Sequence, residues 1–515
     1  MLSHIIELLD FNTTFLASVS ILLGFCYFFA LLQSKRARHN LPPCPARPWP
    51  LVGNIFNMNE DMRTQFKTWH KQCGDIFSMY LGNTLVVVVG GFNNIKEMLV
   101  HRGAVTSDRP EMFFNKCMGM DNIGVAFSSG PIWKELRSTT HQILKEFGMG
   151  TNTLAERIRE EVNCYVNKLA DLQGEPIDIQ HFTHVSVSNV ISSIVIGKRF
   201  THEDPRYQSA LEALITFAKN GKGAAAIHVF PFLRHLPGDY FKAKLIQKAV
   251  LNFKDILLEI VSEVENKESA ELEDDSNGNF IFSYRRKQNQ KIKSGKKTFL
   301  DDANLIKTII DLFAAGTETV ASTIVWCVLY ILCNPGVQIK IHKELDRELG
   351  QEKLPTMVDQ ERLPYLGAVI KETQRLANVV PFSVMHKTRE EVTVGNYVIP
   401  KGTNVIPDLD SVLHDPKIWG DDAEKFNPER FLCDDGSVLQ KEEFIPFSVG
   451  GRTCVGEALA KMELFLFLSS MFQRFEFISP DPANPPSLKP NIGFTSVPSA
   501  FKLSCVDRLQ KYKLS

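Results

Sequence analysis

Apolar residues recur at helical spacing in two long stretches, one beyond the middle of the chain and one near its end. Residues 301–333 are dominated by apolar side chains and stop at an Asn-Pro-Gly sequence, which is typical of a helix end. Residues 457–475 place Leu459 and Met462 on one helical face, with further apolar residues at similar spacing. Both patterns predict long α-helices, and most of residues 94–334 follows the same periodicity.

A smaller part of the chain has strand-like patterns. Residues 77–81 and 85–89 flank a Gly-Asn pair, a turn signal that predicts a β-hairpin. Strand-like segments return at 392–400 and 403–407. We therefore expect a fold that is mainly α with a small β region.

The N-terminal region carries a long uncharged stretch, residues 11–32, which could cross a bilayer as a helix. Basic residues follow at once, whereas the first ten residues contain no Lys or Arg, and this distribution predicts a luminal N-terminus with a cytosolic remainder. A cleaved signal peptide is the alternative, but its basic start and cleavage site are not evident. The predicted organisation is an anchor at 1–32, a basic and proline-rich hinge at 33–50, and one domain at 51–515.

Composition narrows the classes of function. A net charge of −1 over 515 residues gives no argument for nucleic-acid binding. The 10 cysteines are scattered without a Cys-x-x-Cys pair, which disfavours a disulfide scaffold and a zinc site. Residues 267–297 are highly charged and are predicted to form a solvated linker whose degree of order stays open.

The motif that carries most chemical information is 447–456, Phe-Ser-Val-Gly-Gly-Arg-Thr-Cys-Val-Gly. Cys454 lies where this glycine-rich loop leads into the predicted helix at 457–475, and free N–H groups there favour a thiolate. Arg452 adds positive charge and donors for an anion. Small residues around the sulfur admit a large flat group, so the motif suits a thiolate ligand of haem iron. The alternative is a buried structural cysteine at a turn.

Residues 314–319, Ala-Ala-Gly-Thr-Glu-Thr, lie midway along the predicted helix at 301–333. A glycine inside a helix costs about 1 kcal/mol relative to alanine, and Thr317 and Thr319 can bond to carbonyls of the preceding turn and bend the helix. An acid beside an alcohol suits proton delivery to dioxygen, with Thr319 as the distal hydrogen-bonding group and Glu318 as the relay. A kinked core helix is the alternative.

A third motif places Glu372 and Arg375 three residues apart on one helical face. Taken alone, such a pair is usually a surface salt bridge worth less than about 1 kcal/mol.

Together these motifs resemble those of the cytochrome P450 family, and most closely its second family of animal microsomal members. The resemblance implies the cytochrome P450 fold with an N-terminal transmembrane helix, single-pass in the endoplasmic reticulum membrane, and a cytosolic catalytic domain. It implies haem b as cofactor, dioxygen as co-substrate, and electrons from NADPH through NADPH-cytochrome P450 reductase, with cytochrome b5 as a further candidate partner. The expected reaction is insertion of one oxygen atom into a lipophilic substrate: a fatty acid, a steroid or a foreign compound.

The resemblance also implies roles for individual residues. Arg430 would be the third partner of Glu372 and Arg375 in a structural network around the cysteine loop. The expected haem-binding residues are Arg109, Trp133, Arg137, His386, Phe447, Arg452, Cys454 and Gly456. The expected substrate contacts are apolar: Phe113, Phe114, Ala315, Val380, Phe382, Val384 and Phe494. Lys134 and Lys145 are candidate docking residues for an acidic reductase.

Two other functions stay open at this point. A haem-thiolate isomerase or dehydratase would act on lipid peroxides without a reductase, and a membrane-anchored haem- or steroid-binding protein would show no turnover. Intact acid and alcohol residues in the 314–319 segment favour the monooxygenase. The charged linker departs from the family pattern, because Asn279 and the Phe-Ile-Phe sequence after it stand where the resemblance implies an acid-flanked Phe-Ile.

Overall fold

The computed structural model describes residues 13, 16–25, 27–28, 40–59, 61–201, 204–235, 237–268, 278–350 and 353–508. At 152–153, 221–226, 228–229, 232 and 267–268 it describes the backbone alone.

Helices make up most of the described chain. In order they are α1 Met62–Cys73, α2 Phe92–Lys96, α3 Gly103–Thr106, α4 Phe113–Met118, α5 Gly124–Phe127, α6 Gly130–Glu146, α7 Asn152–Asp171, α8 Gln180–Val195, α9 Pro205–Val229, α10 Ala243–Glu268, α11 Phe280–Lys293, α12 Asp302–Cys333, α13 Pro335–Glu348, α14 Pro364–Ala377, α15 Asp410–Leu413, α16 Pro416–Trp419 and α17 Glu457–Arg474. Short 3₁₀ segments occupy Ile55–Asn57, Pro231–His235, Met357–Arg362, Pro428–Phe431 and Gly450–Arg452, and a π-helical turn occupies Glu97–His101.

The strands are short and form one four-stranded sheet and three two-stranded ones. They are β1 Ile76–Leu81, β2 Thr84–Val89, β3 His386–Lys387, β4 Val392–Val394, β5 Tyr397–Ile399, β6 Asn404–Pro407, β7 Phe475–Ile478, β8 Pro490–Ile492, β9 Ser496–Pro498 and β10 Ser504–Asp507. The larger sheet has the order β1-β2-β6-β3. Its β1–β2 pair is the predicted hairpin, with Leu81 opposite Thr84 at the turn, and β6 adds parallel to β2. A mainly α fold with a small β region is confirmed.

The long helix α12 forms the centre of the core. Asp301 accepts a hydrogen bond from the N–H of Asn304 at 2.8 Å and so caps its first turn. The helix runs unbroken to Cys333 and packs against α8, α14 and α17. Among the described residues it alone is long and apolar enough to cross a membrane, but its most apolar window is 67% buried. It is therefore a core helix, and the long helix predicted at 301–333 is confirmed.

The expectation of a solvated linker at 267–297 is wrong for residues 280–293, which form helix α11. Phe280, Ile281 and Tyr284 are buried. Asn279 caps the helix, because its side chain accepts the N–H of Phe282 at 2.9 Å. Apolar residues at i, i+1 and i+4 make a short stripe that packs into the core although the rest of the segment is charged. Residues 269–277 lie outside the described residues.

The predicted anchor at 11–32 lies partly outside the described residues. Its described part includes a short apolar helix, Leu16–Phe25, whose side chains are mostly exposed. The basic residues at 35–38 are not described. The transmembrane helix and the boundaries of the hinge at 33–50 therefore stay predictions.

Candidate active site

The cysteine loop is held by its own backbone and by a close approach to the π-helical turn. The N–H of Cys454 donates to the carbonyl of Phe447 at 3.1 Å. Gly450 has φ +80°, and a Cβ built there would lie 2.0 Å from the carbonyl oxygen of Leu99. Only glycine fits this position, which explains part of the glycine-rich pattern.

The sulfur of Cys454 faces open space. Cys454 is the one exposed cysteine in the described part of the chain. Gly456, which precedes α17, has no atom within 4 Å of where its Cβ would be. An accessible thiol beside an open glycine leaves room for a flat ligand, as the sequence predicted.

The expected preference for the thiolate is not found in the protein alone. Desolvation by the surrounding protein raises the pKa of the Cys454 thiol, although the N–H of Gly456 and the charge of Arg137 oppose this effect. Burial therefore changes the pKa of Cys454 more than the N–H groups at the start of α17 do. A bound metal ion would reverse the balance, because a coordinating thiol is deprotonated.

Arg452 is almost completely buried beside the cysteine. Its Nε donates to the carbonyl of Ser107 at 2.9 Å, and one Nη donates to the carbonyl of Ser128 at 2.6 Å. The guanidinium carbon lies 3.9 Å from the ring centroid of Trp133, in a cation–π contact. Arg137, one helical turn further along α6, donates to the carbonyl of Thr453 at 2.8 Å.

The other two expected haem-binding groups come from distant parts of the chain. Arg109 donates through Nη1 to the carbonyls of Val384 and Met385 at 2.6 and 2.8 Å. His386 follows directly, and its Nδ1 donates to the carbonyl of Thr106 at 2.7 Å. The residues just before β3, together with His386, are therefore hydrogen-bonded to the loop that carries Arg109.

This group of side chains, which we call the cation cluster, consists of Arg109, Arg137, Arg452 and His386. Burial lowers the pKa of all four, and repulsion from neighbouring arginines adds to the effect for all but Arg137. Asp108 acts on Arg452 electrostatically, but it is already ion-paired with Arg389 at 2.6 Å. The cluster therefore carries positive charge that the described chain does not neutralise.

Two buried donors in this region have no hydrogen-bond partner among the described residues, Nη1 of Arg452 and Nε1 of Trp133. Buried donors are rarely left unpaired, because each lost hydrogen bond costs about 1–3 kcal/mol. An anion with several oxygens would satisfy both the donors and the charge. The two propionates of haem fit this requirement, and the thiol beside them fits the iron.

The Glu372 network is complete without a ligand. Glu372 and Arg375 are fully buried and joined by two hydrogen bonds of 2.7 and 2.9 Å. Arg430 donates to the same carboxylate at 3.0 Å and also to the carbonyls of Trp419 and Asp422. The predicted three-residue network is present in the structure.

One face of α12 is accessible near the middle of the helix. Ala315 is exposed in the middle of this otherwise buried helix, with Leu312 and Thr319 partly exposed on the same side. The hydroxyl of Thr319 donates to the carbonyl of Ala315 at 2.8 Å, as predicted. Thr317 differs, because its buried hydroxyl has no partner among the described residues. No break in the helix accompanies the motif.

Glu318 points to a different side of the helix from Thr319. Its Oε2 lies 2.9 Å from Nε2 of His184 on α8, and its Oε1 accepts from Ser322 at 3.3 Å. The expected acid and alcohol are neighbours in sequence, but the structure gives them separate partners. No sequence pattern indicated His184, because the contact depends on which face of α8 meets α12.

Aromatic side chains connect two of the expected substrate contacts. Phe114 packs edge-on against Phe127 and Phe217, with ring centroids 5.1 Å apart in both cases, and Phe217 lies 6.1 Å from Phe494. Phe113 is buried in the same core cluster as Phe114. Phe127 and Phe217 were missed by the sequence reasoning, since a lone phenylalanine on a helix is ordinary core.

The remaining expected contacts lie between α14 and β3. Val380 and Val384 are partly buried. Phe382 is placed differently, because its ring packs 5.0 Å from Phe66 of α1, in the cluster beneath the larger sheet. It is therefore separated from the aromatic chain that joins Phe114 to Phe494.

A helical fold with an accessible cysteine thiol beside unneutralised buried cations is the arrangement that a haem-thiolate protein needs. The family model described as Cytochrome P450 matches residues 42–505. Human cytochrome P450 2U1 is 34% identical over 92% of this chain and 90% of its own length, and human cytochrome P450 2J2 is 34% identical over 97% and 96%. Rat cytochrome P450 2B12 is 33% identical over 97% of this chain and its whole length.

The chain belongs to the cytochrome P450 family, and these relatives confirm the resemblance to its second family. It is a cytochrome P450 monooxygenase, which uses haem b, dioxygen and electrons from NADPH delivered through a redox partner.

Proposed function

We propose that this protein is a membrane-anchored enzyme of the endoplasmic reticulum that oxidises a lipophilic substrate with electrons from NADPH-cytochrome P450 reductase. The observation that carries the proposal is the coincidence of an exposed Cys454 thiol with the unused donors of Arg452 and Trp133. Cys454 would hold the iron of a haem bound there, and that haem would supply the chemistry of dioxygen reduction.

The cation cluster would bind the two propionates. Arg452 and Trp133 each have a donor available. His386 already donates from Nδ1 to Thr106, so its Nε2 can donate to a propionate only when the ring is protonated. A carboxylate at this position favours that proton, because its charge opposes the repulsion from Arg109.

Glu318 and Thr319 would supply protons on the open side of α12. The Thr319 hydroxyl lies on the same face as the exposed Ala315 and is held by the Ala315 carbonyl. Glu318 reaches that face by rotating away from α8. An acid that alternates between two partners can collect a proton on one side and release it on the other.

The substrate would lie against apolar side chains. The aromatic chain from Phe127 to Phe494, the exposed Ala315, and the partly buried Val380 and Val384 offer surface without a charged group of their own. Such a surface favours a lipophilic compound. Membrane attachment is supported by the uncharged stretch at 11–32 and the basic residues after it.

The ligand assignment is tested by the carbon-monoxide difference spectrum of the reduced protein. We expect the wild-type protein to show the shifted Soret band of a thiolate-bound haem, and Cys454→Ser to lose it. Cys433→Ser is the matched control, since Cys433 is only partly exposed and lies outside the site; its spectrum should equal that of the wild type. An unchanged spectrum in Cys454→Ser would refute the assignment.

The reaction is tested by reconstitution with the reductase in lipid vesicles, with a panel of fatty acids, steroids and drugs analysed by mass spectrometry. We expect a product that is 16 mass units heavier and that requires both NADPH and reductase. Rearrangement of a lipid hydroperoxide without NADPH consumption would instead support the isomerase, and ligand-induced spectra without product would support a binding protein.

A further inference from the structure

A buried ion pair lies on α12 next to the aromatic side chains of the proposed substrate site. Lys307 and Asp311 are one helical turn apart, and their side chains are 1% and 3% exposed. Nζ of Lys307 donates to Oδ1 of Asp311, and it lies 4.9 Å from the ring centroid of Phe127 on α5, in a cation–π contact. Lysine is almost never fully buried unless it is paired, so we asked what this pair holds in place.

The backbone of α5 lies directly on the ion pair. The second carboxylate oxygen of Asp311 accepts the N–H of Ala126 at 2.9 Å. One turn earlier, Asn304 accepts the N–H of Gly124 at 3.1 Å. Gly124 has φ +79°, and a Cβ there would lie 2.4 Å from Cγ of Lys307 and 2.5 Å from Oδ2 of Asp311. Only glycine permits this approach, so the position of α5 depends on the two charged side chains.

Phe127 connects α5 to the expected substrate contacts. Its ring packs edge-on against Phe114 with centroids 5.1 Å apart, and Phe114 contacts Phe217 in the same way. Phe127 is partly exposed, so part of its surface is available to a ligand. The orientation of this ring is therefore set by Lys307 on one side and by Phe114 on another.

An ion pair holds its neighbours differently from apolar side chains. Two apolar residues at positions 307 and 311 could fill the same space without the cost of desolvating two charges, and such replacements are often neutral or stabilising. A charged pair is directional, because its cation is attracted to the face of one ring and its carboxylate to one N–H group. The pair thus restricts the angle of Phe127 more narrowly than apolar contacts would.

We propose that Lys307 is a positioning residue that determines substrate specificity, because it fixes the Phe127 ring as one wall of the substrate site. This inference rests on the proposed function, in which the aromatic chain from Phe127 to Phe494 contacts a lipophilic substrate. The favoured substrates are lipophilic compounds short enough to end against this ring, and compounds that are one ring longer are excluded.

The proposal is tested by the binding of two imidazoles to the haem-loaded full chain, 1-benzylimidazole and its longer analogue 1-(4-phenylbenzyl)imidazole. Each binds the haem iron through its imidazole nitrogen and shifts the Soret band, so absorbance gives both dissociation constants without turnover. The quantity compared is the Kd of the shorter compound divided by the Kd of the longer one. We expect this ratio to rise by about fivefold or more in Lys307→Met, because the released Phe127 ring can move aside for the second phenyl ring.

The ratio separates positioning from a general loss of structure. The chain around α5 also supports the cation cluster, since Arg109 donates to the carbonyl of Ala126 at 3.2 Å. Arg452 donates to the carbonyl of Ser128 at 2.6 Å. A loosened haem would weaken the binding of both imidazoles alike and leave the ratio unchanged.

Lys371→Met is the matched control for removal of a lysine from an aromatic ring. Nζ of Lys371 lies 5.5 Å from the ring centroid of Phe444, which packs in a different core cluster from that of Phe114. The ratio in Lys371→Met should equal that of the wild type.

A second variant allows for poor folding of Lys307→Met, in which the Asp311 carboxylate is left buried without its cation. Lys307→Met/Asp311→Asn removes both charges, and the asparagine oxygen can still accept the N–H of Ala126. This variant should show the same rise in the ratio. Phe127→Ala should raise the ratio as well, and adding the two substitutions to it should change the ratio by less than about twofold, because all three act on one ring.

Two results would overturn the role of Lys307. One is a ratio in Lys307→Met/Asp311→Asn that falls, or that stays within about twofold of the wild-type value. The other is a triple variant whose ratio is the product of the separate changes, since Lys307 would then act independently of Phe127. A wild-type protein without the thiolate spectrum in its reduced carbon-monoxide form would count instead against the proposed function.

Discussion

Two groups of buried arginines in this protein are held in opposite ways. Arg375 and Arg430 share the carboxylate of Glu372, and their remaining guanidinium nitrogens donate to backbone carbonyls. In the cation cluster, Arg109 and Arg452 donate to carbonyls only, and one nitrogen of Arg452 has no partner among the described residues. The first group is complete within the described residues, whereas the second keeps a donor that an anion could satisfy.

The difference shows how burial of a charge can mark a structural or a binding role. A buried ion pair with all donors satisfied rigidifies the fold around it, and removing one partner leaves an uncompensated charge. Buried cations without a neighbouring acid repel one another, which raises the free energy of the folded protein. An anionic ligand removes this repulsion. Burial alone does not separate these cases; the number of satisfied donors does.

The largest expected effect comes from breaking the complete group. Glu372→Gln removes the carboxylate that faces both guanidinium groups, so we expect the free energy of unfolding to fall by about 3–5 kcal/mol. Urea denaturation of the haem-loaded protein, followed by the Soret band, measures this change. If the variant is too unstable to purify, the yield of soluble haem-loaded protein gives the same comparison.

The matched control for Glu372→Gln is Glu429→Gln. Glu429 pairs with Lys340 at the surface, where both side chains are about half exposed, and an exposed pair of this kind contributes less than about 1 kcal/mol. Equal losses in the two variants would mean that the Glu372 network behaves as an ordinary surface pair.

A smaller effect, on ligand affinity more than on stability, is expected from the incomplete group. Arg452→Met removes a charged donor for a propionate, and a hydrogen bond to a charged group contributes about 1.5–3 kcal/mol. We therefore expect haem affinity to fall about ten- to hundredfold. The haem-free protein loses the bonds to Ser107 and Ser128 but also the repulsion from Arg109, so its unfolding free energy should change less than in Glu372→Gln.

The rate of haem transfer to apomyoglobin measures the affinity change. Arg102→Met serves as the control, because Arg102 is exposed and pairs with Glu97. Release of haem at the wild-type rate from Arg452→Met would show that the unused donor is not a propionate site.

The sequence could predict the residues of both groups but not the difference between them. Motif spacing identified Glu372, Arg375 and Cys454, because each depends on local chain geometry. Whether Arg452 has a free nitrogen depends on the carbonyls of Ser107 and Ser128, which are more than 300 residues away. Long-range partners of this kind leave no periodic signal in a single sequence.

The same reason explains one prediction that was wrong and one partner that no prediction included. The charge content of residues 280–293 concealed the apolar stripe of Phe280, Ile281 and Tyr284, whose burial depends on neighbouring helices. Glu318 was predicted to be the proton relay beside Thr319, and the packing of α8 against α12 gives it a partner, His184, that no local pattern indicated. Local patterns predict which residues are reactive, and the packing of helices decides where they point.

The smallest expected effect concerns cations that are exposed. Lys134 and Lys145 lie on α6, the helix that also carries Trp133 and Arg137 into the site, and both are exposed. If they dock an acidic reductase, Lys134→Gln should raise the reductase concentration for half-maximal reduction by no more than about fivefold, because exposed pairs contribute at most about 1 kcal/mol. The difference from wild type should shrink at high salt, since the screening length falls from about 10 Å at 0.1 M to about 3 Å at 1 M. Stopped-flow reduction measures this difference, with Lys489→Gln, at an exposed lysine preceding β8, as the charge-matched control. If the rates are independent of salt and equal in both variants, the exposed lysines do not dock the reductase. The buried cations would then be the functional ones.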